Sequence, residues 1–119
     1  MGDFRRLTVW QLAHAAACEV YRQSSRWPAS ERFGLTAQIR RAAVSVASNI
    51  AEGAGRMSDR EFGRFVKIAR GSNQEVLAQL LIAESLGFQQ PPQSKVLLAQ
   101  VERVGALLSG VLKRMERTE

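Results

Sequence analysis

Apolar side chains return at every third or fourth position through four long stretches of the chain, the period of a helix with one face turned inward. Trp10, Ala13, Ala17 and Val20 make one such stripe and predict a helix over residues 7–23. It ends at Ser24-Ser25-Arg26-Trp27-Pro28, because the residue before a proline is pushed out of the helical region. Ile39, Ala43, Val46 and Ile50, widened by Ala42, predict a second helix over 36–53, closed by the glycines of Gly53-Ala54-Gly55. Ser58-Asp59-Arg60-Glu61 matches a capping box and starts a third helix over 58–86. Its stripe is Phe62, Phe65, Val66, Ala69, Val76, Leu80 and Ala83, with Gly87 in the place of a C-terminal cap. Pro91-Pro92 forces a break. Leu97, Val101, Val104, Leu108, Val111 and Met115 then step 4-3-4-3-4 through a fourth helix over 93–117, as in bundle cores. No stretch alternates as a half-buried strand does, and there is no Asn-Gly or Asp-Gly hairpin signal. The expected fold is all-α: a single domain over 1–119, an antiparallel four-helix bundle in up-down-up-down order, since short connections make neighbours antiparallel.

The pattern holds more than one stripe per helix. Helix 4 carries a second apolar row, Leu98, Gly105 and Leu112, and helix 3 adds Ile68, Leu77, Leu81 and Ile82. A lone bundle uses one stripe per helix. The surplus predicts a further buried surface, most simply between copies of the chain. Polar residues also run in line. Gln38, Arg41, Ser45, Ser48 and Glu52 step along helix 2 beside small alanines, with Asn49 between, and Ser72, Glu75 and Gln79 do the same on helix 3. These stripes are expected to meet each other or a neighbouring subunit as hydrogen-bonded layers, Arg41 with Glu75 or Glu52 and Asn49 with Ser72. Gly71 costs about 1 kcal/mol in mid-helix, which points to close backbone contact or a bend there.

Charge changes the picture. Of a net +6, residues 32–70 supply +5, from eight basic and three acidic residues. Arginine makes up 14 of the 17 basic residues, and it suits bidentate contacts with carboxylate or phosphate. Arg56, Arg60, Arg64 and Lys67 step by 4, 4 and 3, with Arg70 behind, as a ridge away from the Phe62–Phe65–Ala69 stripe. The bland reading is a solvated face with inter-helix ion pairs. The sharper one is a surface for RNA or DNA backbone, repeated around an oligomer and weak in sequence selectivity, since no aromatic stacking platform accompanies it. A third is a scaffold that docks an acidic protein.

Catalysis has little to stand on. His14 is the only histidine, carboxylates do not cluster at metal spacing, and no nucleophile–base pair is visible. No metal or other cofactor is expected. Cys18 is the single cysteine, which excludes an internal disulfide, and beside Ala15, Ala16 and Ala17 it reads as a small buried hydrophobe. No apolar run is long enough for a membrane span or a signal-peptide core, so a cytoplasmic location is the expectation.

Three segments, "VWQLAHAAACEVY", "PASERFGLTAQIRRAAVSVASNIAEGAGR" and "SDREFGRFVKIARGSNQEVLAQLLIAESLG", together resemble the bacterial four-helix bundle proteins of the 23S rRNA intervening-sequence protein family. The likeness spans residues 4–88, while helix 4 matches only in kind. It covers Arg40, Arg41, Ser45, Asn49, Glu52, Gly53, Ser72 and Glu75, and attaches no catalytic role to any of them. The resemblance implies a homopentamer. One branch, the accessory variability determinant of diversity-generating retroelements, partners a reverse transcriptase and binds nucleic acid. Other members are encoded inside rRNA intervening sequences.

Overall fold

Helices form where the periodicity places them. The structure, a computed structural model, describes residues 2–118, with side chains to residue 116. Met1 and Glu119, the ends of the expected domain, lie outside the described residues. The elements are α1 (Thr8–Ser24), α2 (Leu35–Gly55), α3 (Asp59–Ser85) and α4 (Pro91–Thr118), with short 3-10 turns at Phe4–Arg6 and Ala29–Glu31. There is no strand among the described residues. Neither is any helix among them long and apolar enough to cross a membrane.

The helix ends follow local chemistry. The Ser58 hydroxyl accepts from the Glu61 N–H at 3.1 Å and caps α3. At the other end Gly87 takes a left-handed φ of +80°. The N–H of Phe88 then reaches the Ala83 carbonyl at 2.9 Å and that of Gly87 reaches Glu84 at 3.1 Å, a Schellman closure. Two boundaries differ from expectation by two residues, the others by one. Helix α4 starts at Pro91 instead of residue 93, because the first turn of a helix has no partner for the N–H that proline lacks. Helix α2 runs through Gly53 to Gly55, and the left-handed residue beyond it is Met57. Gly53 is therefore not a terminator. It is buried, and a Cβ there would lie 2.8 Å from the Phe65 Cβ, so its small size lets the start of α3 close onto α2.

The four helices pack as a bundle measuring 45 × 21 × 20 Å. Helix α3 lies against α2 and α4, and α1 lies against α2 and α4. The predicted inward stripes of α2 and α3 are buried, as are Leu97, Val101, Val104 and Leu108 of α4. Val111 and Met115 are half-buried, and on α1 Val9 takes the inward place while Trp10 is half-buried. The core falls into two clusters, one around Val20, Trp27, Ile39 and Leu80, the other around Ile50, Phe62, Val66 and Leu108. Asn73 is buried between them, donating from Nδ2 to the Val101 carbonyl at 3.0 Å. Gly71 shows no close approach: it is exposed, and a Cβ there would meet nothing within 4 Å. Of the second apolar rows, Leu77, Leu98 and Leu112 are half-buried, while Ile68, Leu81 and Ile82 stay exposed.

Candidate nucleic-acid interface

The polar residues of α2 and α3 divide into a seam and a surface. In the seam the Ser45 and Ser72 hydroxyls lie 2.9 Å apart and join the two helices. Asn49 does not reach Ser72 directly. Its Nδ2 donates to the Ser45 carbonyl at 2.8 Å and to Ser45 Oγ at 3.0 Å, so Ser45 relays the contact. Arg41, Glu52 and Glu75 face out instead. Glu52 pairs with Arg56 at 3.0 Å, four residues on, and not with Arg41. Neither Arg41 nor Glu75 has an ion pair among the described residues, so the expected Arg41 layer does not form within the chain.

The ridge starts where α2 and α3 meet. The Arg56 and Arg64 guanidinium groups flank the buried Phe65 ring at 5.2 and 5.7 Å from its centroid, which anchors both stems. Arg64 also stands 3.6 Å from Glu61, a loose and exposed pair worth little. Arg60 and Lys67 are exposed and without an ion pair among the described residues. Arg70 leans the other way and donates from Nε to Ser109 Oγ on α4 at 3.0 Å. Four of the five predicted cations thus share the first half of α3, with Arg56 at the end of α2 before it, but unequally: among the described residues Arg60 and Lys67 are free, Arg64 nearly so, and Arg56 and Arg70 are held. Farther along, Leu81 and Ile82 of α3 and Leu86 just past its end are all exposed, and no cation joins them there. Phe62 and Phe65 are core residues and give the cationic ridge no stacking surface.

Helix α1 adds features the pattern did not reveal. Cys18 is half-buried, with Sγ 3.8 Å from His14 Nε2, on the wall of an apolar groove of about 600 Å³ between α1 and α2. His14 stacks on Trp10 at 4.9 Å, and Tyr21 and Val44 continue the groove. Cys18 is thus not the fully buried hydrophobe its alanine neighbours suggested. Near the chain start, hydrogen bonds from Arg5 hold the Asp3 carboxyl below its ordinary value. At the opposite end Trp27 donates to Gln89 at 2.9 Å, and Gln89 bonds Gln23, tying the α3–α4 connection to α1. Only the break at Trp27-Pro28 hinted at that anchor.

A family model described as 23S rRNA-intervening sequence protein matches residues 5–110. No curated protein matches the chain. Among solved structures it is similar to a protein of unknown function from the S23 ribosomal protein family of Bacteroides thetaiotaomicron VPI-5482. The TM-score is 0.80 at 19% identity, over 89% of this chain and 99% of that one, a likeness of fold.

Proposed function

We propose that this chain, which belongs to the 23S rRNA-intervening sequence protein family, is a non-catalytic cytoplasmic bundle that assembles with copies of itself and holds RNA or DNA backbone on the cationic half of α3. The observation that carries the reading is the exposed trio Arg60, Arg64 and Lys67, of which only Arg64 forms an ion pair among the described residues, and that at 3.6 Å. Arginines with spare donors suit phosphate oxygens. The helices run antiparallel in up-down-up-down order, a reading supported by connections as short as residues 56–58 and 86–90. Self-association, in the pentamer that the resemblance implies, repeats the trio around a ring and multiplies the phosphate contacts.

The test is affinity for a duplex or single strand against salt. Each phosphate neutralised adds roughly 0.9 to the slope of log affinity on log salt for duplex DNA. Arg60→Glu with Lys67→Glu should weaken binding to every sequence alike and flatten that slope. An affinity indifferent to salt, or to the double substitution, removes the phosphate role.

A further inference from the structure

At the end of the bundle where α3 begins, a hollow of about 440 Å³ opens between the starts of α1 and α3 and the last turns of α4. Its wall is mostly apolar, with Leu7, Val9, Phe62, Leu107, Val111 and Met115 beside Thr8, and its charged lining residues are Asp59 and Arg114. These two carry opposite charge, line the same hollow, and do not pair with each other or with any other charge among the described residues. Three exposed cations adjoin its lining residues along the chain: Arg6 precedes Leu7, Arg60 follows Asp59, and Lys113 precedes Arg114. Arg5 is excluded from this set because Asp3 holds it at 2.7 Å.

A phosphate does not suit the hollow itself. Its wall cannot solvate an anion, and the Asp59 carboxylate repels one. A flat, largely apolar body with hydrogen-bonding edges does suit it, with its phosphates left outside among the cations. That is the form of a nucleobase splayed from a single strand, where unstacking costs least. Guanine matches the two charges best. Its N1–H and N2–H lie side by side and can be accepted together by one carboxylate, while O6 and N7 accept from a guanidinium.

We propose that this hollow receives an unpaired guanine of a single-stranded nucleic acid, with Asp59 accepting from its N–H edge and Arg114 donating to its carbonyl edge. The proposal rests on the phosphate-binding reading above and adds base selectivity to it. Three labelled single-stranded oligonucleotides, alike except for a central guanosine, inosine or abasic unit, carry the same phosphates and separate the two ideas by fluorescence anisotropy. The guanosine strand should bind about tenfold or more tightly than the abasic strand, the effect of one held base. Inosine, lacking N2–H, should fall between. Val111→Trp, which fills the hollow, should bring guanosine and abasic strands to the same affinity, and Asp59→Asn should bring guanosine down to inosine. Equal, salt-sensitive binding of all three strands by the native chain overturns the guanine site and leaves phosphate binding standing. No binding of any strand at low salt overturns both.

Discussion

Gly53 and Gly71 sit in helix interiors and predict opposite outcomes for the same added methyl. At Gly53 the new Cβ would fall 2.8 Å from the Phe65 Cβ and 3.1 Å from Phe62 Cδ1, with backbone of α3 behind them. Overpacking of that kind costs about 1–3 kcal/mol. At Gly71 the methyl meets open solvent and only removes unfolded-state freedom, a gain of about 0.5–1 kcal/mol. Gly53→Ala should therefore lower the urea midpoint and Gly71→Ala raise it; equal shifts would mean that α2 and α3 do not approach as described. Composition treats the two glycines alike. Only the partner helix distinguishes them, which is why Gly53 read as a terminator and Gly71 as a contact. The seam was legible to the same degree. The polar stripes of α2 and α3 do meet, through Ser45 and Ser72, but the expected Asn49–Ser72 bond does not form, because the Asn49 amide finds its own helix four residues back before it can reach across.

Among the elements, α3 was the most legible because its ends are written in side chains. Ser58 spends its hydroxyl on the Glu61 N–H, and Gly87 accepts the left-handed turn that closes the helix. Ser58→Ala should cost about 1 kcal/mol and speed amide exchange in the first turn of α3. Gly87→Ala should cost about 1–2 kcal/mol through the strained φ. A first turn that exchanges no faster in Ser58→Ala would show the cap to be idle. The inward stripes of α2, α3 and α4 were legible from period alone, because burial follows spacing. Which ridge cation stays free was not. Arg56 is held by Glu52 and Arg70 by Ser109, choices set by rotamer and by a neighbouring helix that spacing along one helix does not specify. Trp27 and Gln89 were missed for a similar reason, since their bond spans 62 residues of sequence.

For the whole molecule, the remaining question is what the outward apolar surface is for. Two patches stand apart. One is the groove between α1 and α2, walled by Trp10, Tyr21 and Val44. The other is on α3, where Ile68, Ile82 and Leu86 share a face and are 46%, 49% and 59% exposed. Between Ile68 and Leu86 that face carries Glu75 as its only charge. Two different patches on one chain suit a head-to-tail interface, which closes into a ring, rather than a two-fold contact of one patch with itself. On the proposed assembly, the native chain should scatter light as a multiple of the 13.2 kDa protomer. Ile82→Asp and Val44→Asp should each reduce it to a single chain without loss of helix signal, because both side chains are exposed in the protomer. Mixing the two variants then decides the geometry. Each retains the patch the other has lost, so one intact interface can form, and the mixture should stop at about twice 13.2 kDa. A two-fold contact through α3 alone would leave Val44→Asp fully assembled and the mixture without a new species, and a native chain at the mass of one protomer would end the assembly reading altogether.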